Sequence, residues 1–136
     1  MKPKLITRFA LAVAFLGVCA PMFAHHGNSQ YDEKHPVTIT GTVTEFVWQN
    51  PHCQIYIDVK DKDGKLVHWG IESMSPGVML REGWNPSMLS PGDVVSVTLI
   101  AAKNGAPVGY AGNACSKQCK VVRANGETLP LFREEE

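Results

Sequence analysis

Residues 53–72, CQIYIDVKDKDGKLVHWGIE, contain two runs in which apolar and polar side chains alternate. The apolar positions are Cys53, Ile55, Ile57 and Val59 in the first run, and Val67, Trp69 and Ile71 in the second. This period of two predicts strands with one buried and one wetter face. Between the runs, Asp63-Gly64 is a strong hairpin signal. The segment therefore predicts an antiparallel hairpin, formed by the second and third strands of a sheet.

The stretch before this hairpin predicts a long, bent first strand. Its apolar residues alternate and then change parity, in the order Val37, Ile39, Gly41, Val43, Phe46 and Trp48. A change of parity is expected where a β-bulge adds one residue to a strand. Asn50-Pro51-His52 then ends the strand, because proline cannot donate to the ladder.

The residues after the hairpin predict a short helix, a fourth strand and a final hairpin. Residues 75–83 begin with a serine that can cap a helix and a proline suited to its first position, and they end with a glycine. A turn at 90–93 precedes renewed alternation at 95–99, which predicts the fourth strand. Residues 101–116 are rich in Gly, Ala and Asn and predict a long loop. Residues 120–132, with an Asn-Gly turn in the middle, predict the last hairpin.

This order of elements is that of a five-stranded OB barrel, in which a helix between the third and fourth strands closes one end. We therefore expect an all-β fold, a small OB-like barrel over residues 37–132. A two-sheet sandwich is the alternative, because alternation alone does not show how a sheet closes. The length is sufficient for one core, which indicates a single domain.

Residues 1–24 have the order of a secretory signal peptide. Three basic residues within the first eight positions precede an apolar run over residues 9–20, which is too short to cross a bilayer. Cleavage is expected after Ala24, and cleavage after Ala20 is the less favoured alternative. We therefore expect export to the periplasm or secretion, without stable membrane insertion after cleavage.

The predicted leader contains three of the thirteen basic residues and none of the thirteen acidic ones, so ten basic residues remain in the mature chain. This mildly acidic balance does not favour nucleic acid as a partner, which usually requires a clustered basic face. Residues 25–36 are polar and lack periodicity, and they predict an extended N-terminal arm. Residues 133–136 predict a frayed acidic tail.

Seven short motifs are distributed along nearly all of the mature chain: Ala24-His25-His26, Gly41-Thr42-Val43, Trp48-Gln49-Asn50-Pro51-His52, Trp69 with Glu72, Ser75-Pro76, Gly83-Trp84 and Pro91-Gly92-Asp93. Together they resemble the small exported bacterial proteins catalogued as domain of unknown function 6152, of which Trp-x-Asn-Pro-His is the most specific element. The resemblance implies an exported, OB-like barrel and no particular activity. The pair Cys115 and Cys119 departs from the pattern of that family, so any cysteine chemistry would be peculiar to this member.

Cleavage after Ala24 would place a free amino group beside the imidazoles of His25 and His26. The amine, with a pKa of about 8, and the imidazole, with a pKa of about 6.5, can both lose protons near neutral pH and offer lone pairs. Nitrogen sites bind Cu(II) most tightly among common divalent ions. The sequence thus predicts a copper site, with His52 as the candidate third ligand. The alternative is that His25-His26 is only the dipeptide that remains where signal peptidase prefers to cut, and that it binds no metal.

Other histidines have simple structural interpretations. For His52, the alternative to a metal ligand is a turn residue whose imidazole hydrogen-bonds the backbone. His68 and Glu72 lie on the same strand face but too far apart to ligate one ion, and both are expected to be ordinary surface residues. His35 is expected to be an exposed loop residue.

Cys115 and Cys119 would lie about 13 Å apart in an extended chain, so they can pair only if the loop curls. In an exported protein a disulfide is the default expectation. A Cu(I) thiolate site or a redox pair is the alternative. Cys53 has inward parity on its strand and predicts a buried structural thiol.

Two further functions compete with metal binding. A non-catalytic module would hold a periplasmic partner protein or a small ligand on the exposed face of the second and third strands, through Tyr56 and His68, together with the loop that contains Tyr110. A small oxidoreductase would depend on copper at the N-terminus or on thiols. The sequence contains no nucleophile elbow, phosphate loop or zinc-helix motif, so catalysis is less favoured than either binding function.

Overall fold

The computed structural model of the protein describes residues 30–131. This part of the chain forms seven strands, with two short helices between them, around one hydrophobic core. The strands are β1 (Val37–Val47), β2 (Gln54–Lys60), β3 (Leu66–Glu72), β4 (Val94–Ala101), β5 (Val108–Tyr110), β6 (Lys120–Arg123) and β7 (Thr128–Pro130). The helices are α1 (Pro76–Arg81) and a 3-10 helix (Asn113–Gln118). No helix in the described range has the length and apolar character needed to span a membrane.

Five of the strands close into a barrel. Their order is β1-β2-β3-β5-β4, and β4 pairs again with β1. The β3–β5 pair is parallel, and the other barrel pairs are antiparallel. With α1 between β3 and β4, this is the OB arrangement. The predicted fold is therefore confirmed, and the pairing of β1 with β4 rules out the sandwich.

β1 is the bent strand that the change of parity predicted. Residues 37–42 pair with β4, residues 42–47 pair with β2, and the register shifts between Val43 and Glu45. At Gly41, a Cβ atom would lie 2.4 Å from the carbonyl oxygen of Asp58. The bulge and the glycine let one strand bend between two partners, which closes the barrel.

The prediction of a loop over residues 101–116 was wrong in part, because this segment contains β5 and the start of the 3-10 helix. Gly109 in β5 packs so tightly that a Cβ atom would lie 2.4 Å from Leu99 Cδ1. The small residues of this segment suggested a loop. At Gly109, however, a small residue is required because β5 packs closely against β4. The final hairpin is present as β6 and β7, with β6 paired to β4, but the fifth strand of the closed barrel is β5 and not part of this hairpin.

The predicted short helix is confirmed as α1. The Ser75 hydroxyl accepts a hydrogen bond from the backbone N–H of Val78, which caps the helix. Met79 in α1 and Trp84 just after it are buried. The helix therefore joins the core and links β3 to β4.

The described part of the predicted N-terminal arm is docked on the barrel. Tyr31 forms a β-bridge with Ala102 and is only 8% exposed. Backbone hydrogen bonds join the residues on either side of Tyr31 to residues 101 and 103. The predicted signal peptide and acidic tail lie outside the described residues.

Candidate functional site

Two imidazole–carboxylate pairs lie on the outer face of β2 and β3. The first joins His52, in the loop between β1 and β2, to Glu72, the last residue of β3. In the second, His68 Nδ1 lies 2.7 Å from Asp58 Oδ1. The hairpin register sets Gln54 opposite Glu72 and Asp58 opposite His68, so both pairs share one face of the sheet.

Backbone hydrogen bonds tie the loop that contains His52 to the end of β3. The N–H of Cys53 donates to the carbonyl of Met74, and the N–H of Ser73 donates to the carbonyl of Cys53, each at 2.9 Å. The position of His52 beside Glu72 therefore follows from main-chain structure and not from the side-chain contact alone.

The Glu72 carboxylate determines which nitrogen of His52 is protonated. An ionised carboxylate can only accept a hydrogen bond, so Nδ1 donates, and Nε2 of the neutral imidazole keeps a free lone pair. The alternative interpretation placed this imidazole against the backbone, whereas the contact that the structure shows is with Glu72, a residue of the outer face whose side chain is 32% exposed. The His52 side chain is 43% exposed, so solvent reaches this imidazole.

An aromatic pair lies on the other side of Glu72. Tyr110 is opposite Glu72 in the β3–β5 pairing, and its hydroxyl donates to Asn113 Oδ1. The ring of Tyr31 stacks on Tyr110 with the centroids 6.3 Å apart. Burial raises the pKa of both tyrosines, and the negative charge of Glu72 raises each pKa further. Tyr110, predicted to contact a ligand, is instead covered and only 8% exposed.

The second pair has open surroundings. The ring of Tyr56 stacks on His68 with the centroids 5.7 Å apart and an angle of 3° between the planes. Gly70 lies opposite Tyr56, and a Cβ atom there would be 3.4 Å from the tyrosine ring. The His68 side chain is 58% exposed. Tyr56 and His68 are thus brought together on an accessible face, of which the covered Tyr110 is not a part.

Cys115 and Cys119 form a disulfide with their Cα atoms 5.5 Å apart. The 3-10 helix provides the curl that their spacing requires. Both are buried, and the Cys115 sulfur lies 3.3 Å from the carbonyl oxygen of Tyr110. Cys53 is a buried free thiol whose pKa is raised by burial. The burial of all three favours structural roles over an exposed thiolate site.

His25 and His26, the main predicted metal ligands, lie outside the described residues. Within residues 30–131, no three His, Cys, Asp or Glu side chains are grouped as a metal site requires. A metal site at His52 would therefore need ligands from outside the described residues.

Glu72 and Tyr31 were missed as site residues at the level of sequence. A signal for Glu72 exists, because counting outward from the Asp63-Gly64 turn sets it beside Gln54, two residues from His52. For Tyr31 the signal is weaker, a lone aromatic residue in a polar segment.

Three comparisons relate the chain to known proteins. A solved structure similar to it is the mitochondrial single-stranded DNA-binding protein Rim1 of S. cerevisiae, which is 18% identical, with a TM-score of 0.41, over 55% of this chain and 86% of that one. None of the curated proteins matches the chain. The model of a family of unknown function, DUF6152, matches residues 13–111. Because this match spans more than half of the chain and includes both imidazole–carboxylate pairs, the protein belongs to the DUF6152 family.

Proposed function

We propose that the protein is exported and binds a metal ion, with Cu(II) preferred, through its mature N-terminus and His52. The ligands would be the free amine and imidazole of His25, the imidazole of His26 and Nε2 of His52. The observation that carries this proposal is the hydrogen bond between His52 Nδ1 and the Glu72 carboxylate.

This hydrogen bond prepares His52 for ligation. Histidines that bind metals almost always donate their other ring N–H to a carboxylate, a carbonyl or water, which sets the tautomer and the ring orientation. Glu72 supplies this partner, and it is held at the end of a paired strand. A set of amine and imidazole nitrogens suits Cu(II) better than Zn(II) or Mg(II).

The N-terminal histidines are near enough in sequence to reach His52. His26 lies five positions before Tyr31, a span of at most about 18 Å. Tyr31 stacks on Tyr110, and Tyr110 lies one strand from Glu72, or about 5 Å. The sequence between His26 and Tyr31 is therefore long enough to bridge to His52.

The test uses the full chain, exported and processed in a bacterial host. Intact-mass measurement with and without Cu(II) identifies the first residue and any retained ion, and competition with a chelator measures affinity. We expect the His25→Ala, His26→Ala variant to lose more than about 100-fold in Cu(II) affinity, and His52→Ala about 10-fold or more.

The matched control is His68→Ala, which removes the other imidazole paired with a carboxylate on the same face. We expect its Cu(II) affinity to stay within about twofold of the unmodified protein, because it is not a predicted ligand. A mature chain that does not begin at His25, or equal affinity in all variants, would contradict the proposal.

A second candidate function is a non-catalytic binding face formed by Tyr56 and His68. The observation that favours it is their exposed, parallel stack beside Gly70, which offers a flat surface to a small ligand or a partner protein. Native mass spectrometry of the exported protein and of Tyr56→Ala would test it. A bound species lost in the variant would support this function, and free monomer in both would contradict it.

An oxidoreductase has less support. The copper-dependent form would need the metal site proposed above together with measured turnover. The thiol-dependent form would need an accessible disulfide, whereas Cys115 and Cys119 are 4% and 3% exposed.

A further inference from the structure

A groove lies on the outer face of the barrel, across β4, β1, β2 and β3. Its volume is about 320 Å³, near the lower end of the range of about 300–1,000 Å³ that small-molecule sites have. Asp58 lines the groove and also contacts His68, so the groove adjoins the Tyr56–His68 stack. The side chains that line it are those of Thr40, Thr42, Asp58, Lys60, Leu66 and Val94.

Strand register leaves the Thr42 hydroxyl available to a ligand. On the same face of β1, the Thr40 hydroxyl lies 2.7 Å from the Ser96 hydroxyl of β4, and the two share a hydrogen bond. Thr42 is the next residue on this face, but the residue opposite it in β4 is Val94, which has no polar side-chain atom. Within residues 30–131, the Thr42 hydroxyl therefore has no hydrogen-bond partner.

Two groups of opposite charge lie beside Thr42 on β2. Asp58 is opposite Thr42, and only one of its carboxylate oxygens is used by His68. Lys60 is opposite the apolar Leu66, and its ammonium group has no ion-pair partner in the described range. The groove thus offers a carboxylate that accepts, an ammonium that donates and a hydroxyl that does both, without a net charge.

Apolar surface borders these polar groups. Leu66 and Val94, which line the groove, are 57% and 47% exposed. The Tyr56 ring lies against Gly70, where a Cβ atom would be 3.4 Å from it, and it stacks on His68. The site therefore combines hydrogen-bonding groups with aliphatic and aromatic contacts over a short distance.

We propose that the groove and the Tyr56–His68 stack together bind a neutral carbohydrate. This inference rests on the second candidate function, the binding face of Tyr56 and His68, and does not depend on the metal site. A sugar carries hydroxyls that both donate and accept, and its C–H groups can pack on an aromatic ring. Nucleic acid would require several cationic contacts to phosphates. A purely apolar ligand would remove water from the polar groups without replacing their hydrogen bonds.

The test titrates the exported protein with soluble trisaccharides of glucose, mannose, galactose and N-acetylglucosamine, and follows the backbone amide NMR signals. We expect a trisaccharide to shift the signals of the groove and the stack and to leave those of the final hairpin, β6 and β7, unchanged. Tyr56→Ala should weaken the binding by about threefold or more, because it removes the stacking surface.

A second variant keeps the test open if Tyr56→Ala fails to fold. Thr42→Val keeps the shape of the side chain and removes its hydroxyl, and we expect it to weaken trisaccharide binding by about 3–10-fold. The matched control is Thr38→Val, on the same face of β1 but outside the groove, where the hydroxyl bonds to Thr98. Its affinity for the trisaccharide should stay within about twofold of that of the unmodified protein.

The outcomes separate this inference from the function on which it rests. If native mass spectrometry finds a bound species that Tyr56→Ala loses, but no trisaccharide shifts the signals at millimolar concentration, the binding face stands and the carbohydrate is overturned. Free monomer in both proteins, together with no response to the trisaccharides, would contradict both. Tighter binding of an oligothymidylate than of every trisaccharide, or equal affinities in Thr42→Val and Thr38→Val, would also overturn the inference.

Discussion

The two imidazole–carboxylate pairs on the outer face of the hairpin are made of the same groups but have different neighbours. His52 and Glu72 lie where the loop between β1 and β2 meets the end of β3, with Tyr110 and the docked Tyr31 beyond. His68 and Asp58 lie further along the hairpin, where the ring of Tyr56 stacks on His68 and Asp58 pairs with Thr42 of β1.

The comparison shows that a hydrogen-bonded histidine is not by itself a candidate ligand. Each carboxylate can hold its imidazole in the same tautomer, so local chemistry does not separate the two pairs. Only the first lies next to the point where the N-terminal segment joins the barrel.

Gly109 in β5, beside Glu72 of the first pair, should be much less tolerant of an added methyl group than Gly70 in β3, beside the Tyr56–His68 stack. In Gly109→Ala, the new Cβ would lie 2.4 Å from Leu99 Cδ1 and 2.7 Å from the carbonyl oxygen of Ile100. We expect the free energy of unfolding to fall by about 1–3 kcal/mol. In Gly70→Ala the new Cβ would lie 3.4 Å from the Tyr56 ring and 3.9 Å from Val108 Cγ1, which are ordinary van der Waals distances, so the free energy of unfolding should change by less than about 1 kcal/mol.

Urea unfolding followed by tryptophan fluorescence measures both glycine variants. If Gly109→Ala were as stable as Gly70→Ala, the close contact between β5 and β4 would not be a constraint on the fold.

The two carboxylates should differ in their effect on the proposed Cu(II) site. In Glu72→Gln the side-chain amide can donate to Nδ1, which would put the proton on Nε2 and remove the lone pair that His52 offers to the proposed site. We expect Cu(II) affinity to fall by about 10–100-fold. Asp58→Asn makes the same change in the second pair. It should leave the Cu(II) affinity within about twofold of that of the unmodified protein, because a hydrogen-bond partner affects metal affinity only when its histidine is a ligand.

Chelator competition compares the two amide variants directly. Equal affinities would break the contrast between the pairs and would count against His52 as a ligand.

Alkaline pH should weaken the fold through the aromatic pair next to Glu72. Burial, and then the charge of Glu72, raises the pKa of Tyr110, so the folded state holds the phenolic proton more tightly than the unfolded chain. This contribution to stability is complete below about pH 10 and is lost as pH rises through the folded-state pKa.

Thermal unfolding between about pH 9 and pH 11 measures this loss. Tyr110→Phe should show a shallower decline in the melting temperature than the unmodified protein, whatever its starting value. Parallel slopes for the two proteins would show that Tyr110 does not contribute.

The smallest effect is expected at the second pair itself. His68 and Asp58 form a largely exposed contact, with 58% and 33% of their side chains accessible. His68→Ala should change the free energy of unfolding by less than about 1 kcal/mol, because solvent screens exposed pairs. Urea unfolding checks this, and a larger loss would mean that the Tyr56–His68 stack contributes to the fold.

Several features of the protein could be predicted from short stretches of sequence. Alternation identified β1 to β4 and their inward faces, and the change of parity after Val43 identified the bulge. The serine and proline before α1 identified its start. These features depend on residues a few positions apart, and their periods and caps are visible in the sequence.

The site residues were harder to recognise. His52 was identified as a candidate, but its partner Glu72 lies twenty positions away and Tyr110 is covered by a residue seventy-nine positions before it. Strand periodicity tells which face a residue occupies, but it does not tell which strand will lie beside it.

The sequence alone was thus sufficient to predict the first four strands, the short helix and the turns. The order of these elements was also sufficient to predict that the sheet closes into a barrel. Tertiary structure was needed to find β5 inside a glycine-rich segment, to close β1 onto β4, and to set Glu72 between His52 and the two tyrosines. The physical reason is that alternation and capping are properties of neighbouring residues, whereas closure and side-chain pairing depend on contacts between distant parts of the chain.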